Sequence, residues 1–158
     1  GTAEEMLERW PEAEGDYRWI LDRDPQNASA LYNFGNVKVA QEDWTQAEIL
    51  FSKAAIARPS FPMARSSKAL VEYELGEFDE AESEFRSLIR RYPMLPDSRA
   101  ALSALLWRKG YLGEAESNWA AASGLDSRYK QSDWLLEIRR WPPQPTKDLL
   151  SFLALERA

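Results

Sequence analysis

The sequence contains no cysteine and no histidine. Without cysteine there is no disulfide, no thiolate nucleophile and no sulfur-ligated metal site. Without histidine the chain lacks the commonest general base and the commonest zinc ligand. No run of about 18 uncharged apolar residues occurs, so no segment of this chain has the character of a membrane-spanning helix. A glycine-rich phosphate loop and a Gly-x-Ser-x-Gly elbow are also missing. These absences leave few routes to catalysis, and the sequence reads as a non-enzyme with no metal and no cofactor.

Acidic residues are plentiful, but their pattern is not catalytic. Glu12/Glu14 and Glu114/Glu116 are spaced i and i+2, which points them apart on a helix and suits a solvated face. The run "LDRDPQN" alternates acids as calcium loops do. It lacks the mid-loop glycine and the distant bidentate glutamate, so calcium is not expected. The net charge is −6. Residues 1–79 carry −7, with 8 Lys/Arg against 15 Asp/Glu, and residues 80–158 carry +1. An acidic chain is a poor ligand for a phosphate backbone, so nucleic acid is not an expected partner. The acidic end suits a basic partner or plain solvation. Seven tryptophans and six tyrosines invite a base-stacking idea, but most fall at repeating positions that packing explains.

The 158 residues are enough for one domain or a short array of repeats, and a repeat is present. "DWTQAEILFSKAAIARP" returns as "EFDEAESEFRSLIRRYP". Ala47 and Ala81, Phe51 and Phe85, and Pro59 and Pro93 are each 34 positions apart. The same step reaches Ala115, Trp119 and Ser127 forward, and Ala13, Tyr17 and Pro25 backward. Bulky Trp10, Trp44, Phe78 and Leu112 stand three positions before each alanine. Small Gly35, Ala69 and Ser103 stand twelve before the later three. Small residues permit close helix crossings and large ones fill wider gaps. The columns predict helices over roughly 3–9, 11–23, 28–41, 44–57, 62–75, 78–91, 96–109 and 112–124, with Pro11, Pro62 and Pro96 at helix starts.

This pattern resembles the tetratricopeptide repeat family, whose period is 34. The resemblance covers residues 1–127 and is carried best by Leu31, Phe34, Gly35, Ala47, Phe51, Ala54 and Pro59. It implies an all-α chain: antiparallel helix pairs stacked into a right-handed superhelical solenoid with a concave face. The repeats run 1–27 (partial), 28–61, 62–95 and 96–127. Departures occur at Lys38, where the family usually has tyrosine, at Arg65 and Arg99, where it often has tryptophan, and at Glu42, where the later repeats have Gly76 and Gly110. The chain opens Gly-Thr-Ala without an initiator methionine, which reads as a trimmed start.

Residues 128–158 leave the pattern. "YKQSDWLLEIRRW" predicts a helix with Ser132 as N-cap and Trp134, Leu135 and Ile138 on one face. "WPPQP" predicts a stiff, extended connector. "TKDLLSFLALERA" predicts a last helix capped by Thr146. Such a tail caps the open end of a solenoid, or folds back along the concave groove as an internal ligand.

The resemblance also implies which residues line the groove. These are Tyr32, Asn33 and Asn36; then Met63, Ser66, Ser67, Leu70 and Tyr73; then Asp97, Ala101, Trp107 and Arg108. Small residues leave room there, and aromatics offer anchor surface, although Tyr73 and Trp107 also suit burial against neighbouring helices. One branch of the family grips C-terminal carboxylates through lysine, asparagine and arginine. Its five positions hold Tyr32, Asn36, Ser67, Asp97 and Ala101 here, and only Asn36 matches. A carboxylate clamp is therefore not expected. The expected function is a protein–protein interaction scaffold or assembly factor holding a protein or peptide segment in the groove. The alternative is a self-associating homo-oligomer, with the groove filled by its own C-terminal helix. A weaker similarity to plastid and cyanobacterial tetratricopeptide assembly proteins points to an intracellular soluble protein, chloroplast or cyanobacterial.

Overall fold

The computed structural model describes the backbone of residues 2–156 and the side chains of residues 11–155. Among these residues every regular element is helical. Eight α-helices are formed: α1 Thr2–Arg23, α2 Ala28–Ala40, α3 Trp44–Ala57, α4 Pro62–Glu74, α5 Phe78–Arg91, α6 Pro96–Lys109, α7 Leu112–Leu125 and α8 Pro143–Glu156. Between α7 and α8 lie a 3-10 turn, Ser127–Lys130, and a π turn, Trp134–Ile138. No helix among the described residues is long and apolar enough to cross a membrane.

The chain divides into two compact units, residues 1–64 and 65–158. In the first, α2 packs between α1 and α3. Its core joins Leu31, Phe34, Leu50, Ala54 and Ala64, with Tyr17, Tyr32 and Phe61 packed against them. Gly35 faces the ring of Phe51, which is fully buried. A Cβ at position 35 would lie 2.5 Å from that ring. The bare glycine is what lets α2 and α3 come this close.

In the second unit α6 is enclosed on several sides, because α5, α7 and α8 all pack on it. Asp97 through Leu106 are buried except Arg99. A helix flanked this way is buried on most of its sides, and α6 accordingly shows no single wet face over Asp97–Leu106. The repeating alanines 47, 81 and 115 have no exposed surface, nor do Phe51 and Phe85. Trp119 packs against the core from its edge. Leu112, in the column of bulky residues, is instead exposed. Trp10, in the same column, lies outside the described side chains.

The turns inside the pairs share one geometry. The N–H of Asp43, Glu77 and Tyr111 bonds back to the carbonyl of Lys38, Glu72 and Leu106, the pattern of a left-handed helix cap. Gly76 (φ 84°) and Gly110 (φ 89°) supply that conformation, and Glu42 (φ 59°) adopts it as a non-glycine.

The other departures from the family pattern are filled by polar contacts. Lys38 pairs with Glu14 of α1 at 3.3 Å. Arg65 pairs with Glu84 at 2.6 Å and donates to Ser87 at 3.1 Å, tying α4 to α5.

Four local expectations are corrected. The break at Pro11 is absent: α1 runs through it as one helix. A proline withholds a single N–H, and the turns on either side carry the helix on. The segment 132–140 is not a regular helix but a π turn, and Ile138 points to solvent while Leu135 is buried. The "WPPQP" stretch is not an extended spacer throughout. Pro143 begins α8 and Pro145 lies in its first turn, where a missing N–H costs no helical bond. Thr146 does not cap the helix. It is buried, and its hydroxyl donates to the Pro142 carbonyl at 2.9 Å.

Candidate functional site

The positions expected to face the groove fall on α2 in the first unit and on α4 and α6 in the second, apart from Met63 at the start of α4. The two units treat these positions differently.

On α2, Asn33 is exposed and Asn36 is half-buried. Neither side chain hydrogen-bonds to a described residue. Tyr32 is half-buried, with its ring 5.7 Å from that of Phe51 and 5.0 Å from that of Phe61. It therefore belongs to the edge of the core as much as to the surface. Met63 is half-buried.

In the second unit the chain's own tail meets the face. Ser66, Leu70 and Tyr73 recur along one side of α4, and Asp97, Ala101, Ala104 and Arg108 along one side of α6, by helical spacing. Ser66, Leu70, Tyr73, Asp97, Ala101 and Ala104 are buried. Ser67 and Trp107 are half-buried, and Arg108 remains partly open. Contacts from residues 129–148 close both ends of the α6 stripe.

At one end stands Asp97. Its Oδ1 accepts from the Tyr129 hydroxyl at 3.0 Å, the Arg139 Nε at 3.2 Å and the Trp141 indole Nε1 at 3.0 Å. Its Oδ2 accepts from the Ser66 hydroxyl at 2.9 Å. The carboxylate is 2% exposed, and a charge buried this deeply is tolerable only when paired and hydrogen-bonded. Three of its four donors come from the tail. Tyr129, Trp134 and Trp141 also pack ring to ring around it.

At the other end stands Asp148 of α8. Its Oδ2 accepts from the Tyr73 hydroxyl at 2.6 Å, and both oxygens accept from Arg108 Nη1 at 3.2 and 3.3 Å. Gln144 adds its side-chain amide to the same carboxylate at 2.8 Å, and its backbone N–H donates to Glu74 Oε1. Burial, followed by the Asp148 hydrogen bond, pushes the Tyr73 phenol well above its ordinary value. Burial, then the charge of Asp97, does the same to Tyr129. Both phenols hold their protons and serve as donors. Between the two nodes, Leu149, Phe152 and Leu153 of α8 enter the same core as Ala100, Ala101, Ala104 and Leu105.

The small residues of α4 and α6 thus leave room that α8 fills. Asp148, Tyr129, Arg139, Trp141 and Gln144 escaped the sequence reading. A single acid inside the apolar run "DLLSFL" was the available signal for Asp148.

A family model described as Tetratricopeptide repeat matches residues 1–62, 32–96 and 67–134. Among curated proteins, none matches the sequence at a significant level. Among solved structures, the crystal structure of MamA superposes with a TM-score of 0.70 at 14% identity, covering 98% of this chain and 92% of that one. A MamA from Desulfovibrio magneticus RS-1, residues 41 to its end, gives 0.68 at 17% identity, covering 99% and 92%. YrrB, described as a TPR protein with an unusual peptide-binding site, gives 0.67 at 18% identity, covering 98% and 87%. At these identities the likeness is one of fold.

Proposed function

The chain belongs to the tetratricopeptide repeat family, and from that premise we propose that it is a non-catalytic protein–protein interaction scaffold whose α2 face receives a partner segment. The carrying observation is the pair Asn33 and Asn36: two side-chain amides at positions of α2 that the family pattern turns toward the groove, one exposed and one half-buried, with no hydrogen bond to any described residue. Side-chain amides offer both donor and acceptor to the backbone of an extended peptide. The neighbouring Tyr32 ring supplies apolar surface beside them. A role in assembling a larger complex, with a protein rather than nucleic acid as partner, accords with this surface. YrrB, of the same fold, is described as having a peptide-binding site, which supports a peptide as the ligand class.

A terminal-carboxylate clamp is not part of this proposal. Asp97 stands where a cation would be needed, and its carboxylate is already saturated by four donors. The test is a photo-crosslinking residue placed at Ser29, beside the two asparagines, in the full chain. Partner peptides are mapped by mass spectrometry with and without Asn33→Ala/Asn36→Ala. Loss of the mapped peptides at unchanged melting temperature supports the assignment. An unchanged peptide set overturns it.

A further inference from the structure

The α8 helix is joined to the rest of the second unit by one short connector, and it is anchored on the body of that unit by polar contacts to Tyr73, Glu74 and Arg108. We propose that this strap, Trp141 through α8, exchanges between two copies of the chain, so that the face of one copy bearing Tyr73, Ala101, Ala104 and Arg108 takes the α8 of the other. The partner is a second copy because only that partner reproduces every contact. A foreign helix on the face would leave Leu149, Phe152 and Leu153 of the displaced strap in water. Reciprocal exchange buries all three again and restores the Asp148 node. The inference concerns the second unit alone and is independent of the α2 face.

The connector carries the reason for exchange. Arg140 adopts φ 55°, a left-handed conformation in a non-glycine residue, which is strained. The reversal around it is closed by the Trp141 N–H bonding to the Leu135 carbonyl at 2.9 Å, directly after a π turn. Pro142 and Pro143 follow. They restrict the residues before them to extended backbone and resist a tight return. Straightening the chain at Arg140 removes the strain and directs α8 away from its own face. Short strained hinges of this kind favour exchange of the element they carry. In the exchanged form Asp97 is shared: Tyr129 and Arg139 stay with its own chain, and Trp141 comes from the other copy.

The absence of cysteine makes the test clean. One full chain carries Glu74→Cys and a second carries Gln144→Cys, the two positions joined by the Gln144 N–H bond to Glu74. A short linker holds the intramolecular strap at an effective concentration in the millimolar range. The two variants are therefore mixed at millimolar concentration, warmed to just below the melting transition, cooled and treated with a short bismaleimide. The expected result is a covalent heterodimer with its cross-link mapped between positions 74 and 144. Adding Arg140→Gly to both chains relaxes the closed hinge and lowers the heterodimer yield about fivefold or more. The proposal is overturned if no heterodimer forms while the double variant Glu74→Cys/Gln144→Cys cross-links within one chain under the same conditions.

Discussion

The ring of Phe51 lies over the bare Cα of Gly35, so close that a single added methyl group would meet it at 2.5 Å. Phe51 is fully buried and has nowhere to turn. Gly35→Ala is expected to destabilise the protein by about 1–3 kcal/mol, the usual cost of overpacking. The helix propensity gained with alanine offsets part of this. A thermal or denaturant melt reads the change, and a rise in stability would refute the close approach.

Glu42 stands at the turn position that Gly76 and Gly110 occupy in the next two repeats, and shares their positive φ. Glu42→Gly should therefore stabilise the protein by about 1 kcal/mol. Gly76→Ala should cost a similar amount. Opposite signs for the two substitutions in urea titrations are the expected result.

Asp97 collects four donors in a nearly dry site. Asp97→Ala strands them and is expected to cost about 3–5 kcal/mol. The Trp141 environment should loosen with it, since the indole N–H loses its acceptor. Near-ultraviolet circular dichroism at low temperature reports that loosening separately from the global melt.

Lys109 reaches Asp79 and Glu82, each at 2.7 Å. The Lys109 hydrogen bond holds Glu82 below its ordinary value of 4.5. The hydrogen bonds Lys109 donates, first to Asp79 and then to Glu82, hold it above its ordinary 10.5. A lowered carboxylate contributes stability above its unfolded value and loses it as the pH falls through its folded one. A raised lysine contributes below its unfolded value and loses it as the pH rises through its folded one. The stability gap between wild type and Lys109→Met is thus expected to be flat from about pH 5 to 10. It should close on both sides. These groups are partly exposed, so the Glu82–Lys109 gap stays under about 1 kcal/mol. A gap that persists at pH 2 would rule out this origin.

Titrating the full chain with a peptide ending in acidic residues and a free carboxylate should give no micromolar binding by calorimetry. The clamp positions hold Tyr32, Ser67, Asp97 and Ala101, none of them cationic.

The helix pairs were legible because packing at a helix crossing repeats with the chain. Ala47, Ala81 and Ala115 announce three equivalent contacts, and the structure buries all three. Gly35 was legible for the same reason. The course of the tail was not. The breadth of apolar residues on α8 shows that the helix is buried, but not against what. The contact that decides it, Tyr73 to Asp148, spans 75 positions and belongs to no period. The prolines misled because the same residue that stiffens a linker also begins a helix. Tyr32, read as surface, is half core because Phe61, in the loop before α4, packs its ring against it.

The two hydrophobic cores differ in how much chain each must wait for. The first unit draws on residues between Tyr17 and Ala64, so its interior can close early as the polypeptide leaves the ribosome. The second gathers residues from Ala69 to Leu153. Until α8 has been made, that second interior lacks Leu149, Phe152 and Leu153 and stays open on the side they cover. Synthesis therefore passes through a stage in which a finished first unit precedes an unfinished, sticky second one, the stage at which chaperone capture or aggregation competes with folding.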